Sequence, residues 1–213
     1  MSHYWTAPKG LFENSSDVAD VFNTIYSHRV WGGGSGAGSD PTAVRDYAAL
    51  LQNFVFSNGV RSVLDIGCGD WRFSRHIEWG SCGYFGIDVV PSVIEANKRQ
   101  FARDNVRFSC SNPLDEDFTV PSADLLLMKD VLQHLSNENV LKLLRLARHF
   151  KFALITNDYM PENSDCNNGD TRPLDLRAVP FNIRHAAILL TFNGKVTFLV
   201  VNAEPCELTV RRT

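Results

Sequence analysis

Val63-Leu-Asp-Ile-Gly-Cys-Gly-Asp-Trp71 reads as a buried apolar strand that runs into a glycine turn. Gly67 and Gly69 let the backbone pass close to a bound molecule at the carboxyl end of a strand, where open α/β sheets hold their ligands. A dinucleotide turn of the G-x-G-x-x-G kind needs a third glycine, and that position is Arg72. Asp65 and Asp70 flank the turn. Two carboxylates there repel a pyrophosphate and favour a ligand that is cationic and free of phosphate. Asp88 closes the next strand, 21 residues beyond Gly67, where an acid can accept hydrogen bonds from both hydroxyls of a ribose. S-adenosylmethionine, with its ammonium, its sulfonium and its ribose, has these properties; NAD does not.

Outward from this stretch, short apolar strands alternate with helical segments, the rhythm of βαβ units and a parallel sheet. Strands are predicted over residues 62–66, 84–88, 106–110, 125–128 and 152–156, and helices over 70–78, 91–102 and 137–150. Right-handed crossovers place helices on both faces. Before the turn, helical periodicity covers residues 17–28. A second helix starts at Asp40-Pro41 with Val44, Tyr47, Ala48, Leu51, Phe54 and Val55 on one face, and ends near Asn58-Gly59. After residue 186 two alternating apolar runs flank Asn193-Gly194, a strong hairpin signal, so the sheet is predicted to finish with an antiparallel pair.

Two stretches fit no regular element. Trp31-Gly-Gly-Gly-Ser-Gly-Ala-Gly-Ser39 lacks the G-K-[ST] of a phosphate loop. It is either a flexible connector or a lid over the cofactor, with Trp31 and Gly32 supplying cover. Residues 159–185 dissolve into Pro, Asn, Asp and Gly, and a loop of that length in a compact domain is usually functional or disordered. Arg172, Asp175 and Arg177 there could grip an acceptor, the arginines suiting the diphosphate of a nucleotide sugar; surface salt bridges are the rival account.

The 213 residues are read as one domain: N-terminal helices and glycine-rich lid (1–59), cofactor-binding core (60–158), acceptor loop (159–185) and C-terminal hairpin (186–213). A net charge of -3 without a basic stripe argues against a nucleic-acid partner. No run approaches a membrane span and residues 1–10 lack a secretory pattern, so the expectation is a cytoplasmic protein with no membrane partner. Five scattered cysteines (Cys68, Cys82, Cys110, Cys166, Cys206) form no C-x-x-C pair and read as isolated thiols.

The segment from Val63 to Trp71, followed by Tyr84-Phe-Gly-Ile-Asp88, resembles the first two motifs of class I S-adenosylmethionine-dependent methyltransferases over roughly residues 60–157. The resemblance implies a Rossmann-like, mostly parallel seven-stranded sheet with its final strand antiparallel. It implies further that Asp65, Gly67 and Gly69 hold the methionine portion of the cofactor, Asp88 the ribose, and Asn112 with Val89 the adenine. Cys68, Asp70 and Trp71 of the turn and Lys129 after the fourth strand complete the expected set. The chain departs from the family pattern in having Trp71 at the usual third glycine and Asn112 at the usual acid. More loosely, Trp31-Gly-Gly-Gly-Ser-Gly36, Lys129-Asp-Val-Leu-Gln-His134 and Asn157-Asp158 are similar to small methyltransferases of polysaccharide and glycan gene sets in bacteria and large DNA viruses. That likeness implies O-methylation of a sugar, nucleotide-sugar or glycan hydroxyl, in company with glycosyltransferases.

A sugar hydroxyl is a poor nucleophile, so a base or a metal is expected where the fourth and fifth strands end. His134 or Asp130 is the expected base, with Asp158 orienting the acceptor or the base. Asp130, Asn157 and Asp158 could alternatively furnish oxygen ligands for Mg²⁺. The runners-up are methyl transfer to another small molecule and a cofactor-binding module without catalysis.

Overall fold

The computed structural model describes residues 17–202. Residues 1–10, Cys206 and the far end of the 186–213 segment therefore lie outside it. Seven strands form one sheet in the order β3-β2-β1-β4-β5-β7-β6: β1 (Ser62–Ile66), β2 (Gly83–Asp88), β3 (Val106–Cys110), β4 (Leu125–Lys129), β5 (Phe152–Asp158), β6 (Ala187–Phe192) and β7 (Lys195–Val201). The first five are parallel; β7 runs antiparallel to both β5 and β6. The expected Rossmann-like sheet with a terminal hairpin is the observed one. Strand order reverses between β1 and β4, and such a switch point opens a crevice at the carboxyl ends of the strands.

Both faces of the central strands are apolar, as a parallel sheet covered on both sides requires. Leu64, Leu126 and Ile155 point to one face with Val140, Leu143 and Leu144 of α4 (Asn137–Leu146). Val63, Leu125 and Leu154 point to the other, against Tyr47, Leu51 and Phe54 of α2 (Arg45–Ser57) and Ile94 of α3 (Pro91–Phe101). The first helix, α1 (Val18–Ser27), is capped by Asp17, whose carboxylate accepts from the Ala19 amide at 2.9 Å. Among the described residues no helix is long and apolar enough to cross a membrane.

Three local expectations change. Residues 70–78 are not an α-helix; only one 3-10 turn forms, at Ser74–His76. Trp71 adopts a left-handed φ of 53° and buries its ring among Tyr84, Phe101 and Phe108, which breaks the helical path at its start. The second helix begins at Arg45, not Asp40. Asp40 accepts from the Thr42 amide at 3.0 Å and pairs with Arg72 at 2.8 Å, holding residues 41–44 in a turn. The fourth helix is α-helical only to Leu146 and finishes as a 3-10 turn at Ala147–His149.

The 159–185 stretch has no regular element but is not loose. Leu174 and Leu176 are fully buried in the α4 core, and backbone bonds tie Gly169 to His134, Arg172 to Gln133 and Leu174 to Asp158. It covers the sheet face that a crossover helix covers elsewhere.

Candidate active site

A cavity of about 490 Å³ opens at the switch point, lined by the ends of β1, β2, β4 and β5, by α1 and by the glycine-rich run. Its cofactor end is the turn after β1. Gly67 (φ 72°) and Gly69 (φ 54°) are left-handed, and each is closely covered: a Cβ on Gly67 would lie 2.5 Å from Val131 Cγ2, and one on Gly69 2.1 Å from Ser35 Oγ. The Gly69 amide donates to Asp88 Oδ2 at 3.0 Å and Val90 N to Oδ1 at 3.1 Å; from α3, Asn97 Nδ2 donates to Gly69 O at 2.7 Å. Burial raises the Asp88 carboxyl above its ordinary range against these backbone bonds. Asp65 accepts from the buried Tyr84 hydroxyl at 2.5 Å. Burial pushes its pKa up to about 7, with the Tyr84 bond and Lys129 pulling the other way.

The glycine-rich run closes over this end. Ser35 is the rivet: its Oγ accepts from the Asp70 amide at 2.8 Å and meets Tyr26 Oη at 2.8 Å, and its amide donates to Asp70 Oδ2 at 3.2 Å. Farther on, Lys129 Nζ donates to Gly38 O at 2.7 Å. Trp31 lies against the cavity, its ring 6.0 Å from that of Phe22 and 5.8 Å from Tyr26, both on α1.

At the opposite end the strands β4 and β5 deliver polar groups. Asp130, held at a left-handed φ of 58°, bonds Lys129 Nζ through Oδ2 at 2.5 Å and Lys195 Nζ through Oδ1 at 2.8 Å. Lys195 also donates to Asp158 Oδ1 at 2.5 Å. Burial opposes the Asp130 charge, but the two lysines hold its pKa below the ordinary carboxylate value. Burial would lower Lys195, yet Asp130 and Asp158 keep it above its ordinary value. His134 follows in a 3-10 turn, Leu132–His134. Its Nδ1 lies 3.0 Å from the Asp170 carbonyl, which can only accept, so Nδ1 carries the proton and Nε2 the lone pair. Burial lowers the imidazole pKa, against the Asp170 bond, and keeps the ring neutral. Gln133 fixes this turn, its Oε1 accepting from Asp158 N at 2.8 Å and its Nε2 lying 3.4 Å from His134 Nε2.

Residues 63–151 match the family model described as a methyltransferase domain. Over these residues the chain carries a methyltransferase domain. The fold agrees with that of 1,6-didemethyltoxoflavin-N1-methyltransferase from Burkholderia thailandensis, solved with S-adenosylhomocysteine (15% identity, 94% of each chain, TM-score 0.62). It agrees also with that of the N-methyltransferase NodS from Bradyrhizobium japonicum (15% identity, 75% of this chain and 87% of that one, TM-score 0.58). The chain spans 22% of the length of PKMT2 from Rickettsia typhi, covering 47% of its own residues (23% identity, TM-score 0.41). No curated protein matches it in sequence.

The methyltransferase domain fits its cofactor on its own structure. Asp65 and Asp88 line the cavity and form no salt bridge among the described residues, leaving two carboxylates for a ligand with an ammonium and ribose hydroxyls. Gly67, Cys68, Gly69, Val89, Asn112 and Lys129 line the same space, as does Trp31. The Asn112 carbonyl already accepts from Leu114 N at 3.1 Å, which leaves it one lone pair for an adenine amino group.

Other expected residues stand elsewhere. Trp71 belongs to the α3 core and does not line the cavity. Asp70 and Gly32 do not line it either; Asp70 anchors the lid through Ser35. Arg172, Asp175 and Arg177 are likewise absent from its walls. Arg172 donates to Leu135 O at 2.8 Å and to Cys166 Sγ at 3.2 Å, while Arg177 embraces Asp175 through Nε and Nη2, both at 3.1 Å. These bonds brace the 159–185 loop. A Mg²⁺ site does not fit. Lys195 sits between Asp130 and Asp158, Asn157 Oδ1 accepts from Gln133 N at 3.3 Å, and no metal-binding cluster of His, Cys, Asp and Glu occurs among the described residues. Lys195, Ser35, Tyr26 and Gln133 escaped the sequence reading. Only the register that sets Lys195 opposite Asp158 reveals the first of them.

Proposed function

We propose that the domain transfers the methyl group of S-adenosylmethionine to a hydroxyl of a sugar or glycan. When bound, the cofactor supplies an electrophilic methyl whose S–C bonding pair stays on sulfur as the acceptor oxygen takes the carbon. The observation that carries the reading is His134, which lines the cavity with its Nδ1 held by the Asp170 carbonyl at 3.0 Å, leaving Nε2 as the basic nitrogen. A hydroxyl, unlike a neutral amine, needs its proton removed as it attacks, and an imidazole unprotonated at Nε2 at working pH does this once its long contact with Gln133 Nε2, at 3.4 Å, gives way to the acceptor. Asp130 is the weaker base because both its oxygens are spent on lysines. Asp158, with one oxygen on Lys195, lines the cavity and orients a second acceptor hydroxyl. Action beside glycosyltransferases of one pathway follows from the same reading.

Phe22, Leu135 and Leu143 line one wall and favour a second reading, a small aromatic alcohol. Purified protein with labelled S-adenosylmethionine and a panel of methyl glycosides and phenols separates the two, the methylated position being read by NMR. Transfer to an amine, or none despite cofactor binding, would overturn the proposal.

A further inference from the structure

Resting on the reading of an oxygen acceptor, we infer that the acceptor is uncharged: a neutral polyol or glycan, not a phosphorylated, uronic or nucleotide-diphosphate sugar. The acceptor end is an alternating chain of charges, Asp158–Lys195–Asp130–Lys129, closed onto the lid by Gly38 O. Two carboxylates and two ammoniums sum to zero. The Lys129 and Lys195 side chains are 5% and 12% exposed, and those of Asp130 and Asp158 15% and 25%. Among the described residues these two lysines are the cavity's only lining Lys or Arg, and each is already ion-paired.

An anionic acceptor would therefore meet no free cation. It would have to draw a lysine away from a buried carboxylate and sit beside Asp130 and Asp158, and such like-charge juxtaposition penalises wrong partners. The arginines able to receive a phosphate are turned into the loop, on Leu135 O and Asp175. A neutral polyol meets the opposite situation, since each hydroxyl both donates and accepts and the chain offers ammonium donors and carboxylate acceptors in alternation. Lys195 is the specificity-determining residue, because it alone joins the two carboxylates.

The test has two arms. In the first, the full chain saturated with S-adenosylhomocysteine is titrated with inorganic phosphate and pyrophosphate by calorimetry. No saturable binding is expected at millimolar concentration, while Asp158→Asn, which leaves Lys195 one carboxylate short, should gain about tenfold or more in anion affinity. Saturable binding to the natural chain that disappears in Lys195→Met would overturn the inference. In the second, kcat/KM is compared for methyl glucoside, glucuronate and glucose 6-phosphate. The neutral sugar should lead by about tenfold or more, and equal or better use of an anionic member would sink the inference. Should no sugar be methylated while the first arm holds, the sugar reading fails and the charge rule stands, since phosphate titration does not depend on the acceptor.

Discussion

The rings of Trp31 and His134 lie with centroids 4.9 Å apart and planes inclined by 35°, so the segment that covers the cofactor also packs against the proposed base. One residue belongs to the glycine-rich run and the other to the turn after β4, and the contact ties the placement of that run to the orientation of the imidazole.

Trp31→Ala should lower kcat by about twofold to tenfold, the worth of an aromatic pair of about 0.5–1.5 kcal/mol. Trp31→Phe should recover most of the loss, because a ring remains to pack against His134. Steady-state kinetics with both variants check this; equal losses would deny the stacking a role.

His134→Gln should lose about 10²- to 10⁴-fold in kcat, the range of a positioned general base, and keep its affinity for S-adenosylhomocysteine. Because burial lowers the imidazole pKa, activity should rise with pH along a limb that lies below the ordinary value of about 6.5. The linkage has the same sign: the native state resists protonation, so the stability owed to this group is complete above about pH 6.5 and is lost as pH falls through the lowered value. A kcat profile flat through the acid range would remove His134 from the proton path.

Asp65, pushed up to about 7, ionises in the native state far above its unfolded value of about 3.9. Its contribution to stability is therefore greatest below the unfolded value and is lost as pH rises through about 7. Cofactor affinity should move the other way, growing as the carboxylate charges to meet an ammonium. Tyr84→Phe removes the bond that holds the pKa down and should shift the rise in affinity to higher pH. Calorimetric titrations with S-adenosylhomocysteine across neutral pH check both directions; a pH-independent affinity would mean that Asp65 does not face the cofactor's charge.

Exhaustive treatment with a chelator should leave the methyl-transfer rate unchanged, since Lys195 fills the position between Asp130 and Asp158 that a divalent ion would need. Loss of activity restored by Mg²⁺ would show that the lysine yields to the metal.

The sheet was legible because its signals are local. Strand, glycine turn and acid at the next strand end follow one another in the chain, and Asn193-Gly194 announces the hairpin between β6 and β7. The helix predicted over 70–78 failed for a tertiary reason: Trp71 gains more by burying its ring against Tyr84 and Phe101 than by continuing a helix. Arg172 and Arg177 invited an acceptor role by residue type alone. Their partners, Leu135 O and Asp175, become visible only once the loop is packed.

Sequence by itself determined the parallel sheet, the ligand-binding turn and a cofactor that welcomes carboxylates, because these depend on residues adjacent in the chain or one βαβ unit apart. The tertiary structure alone decided that Lys195 bridges Asp130 and Asp158, that Trp31 meets His134 and that the 159–185 loop serves the core. Those partners approach only when sheet order and strand register bring distant segments together, and burial then makes each charge depend on its neighbours.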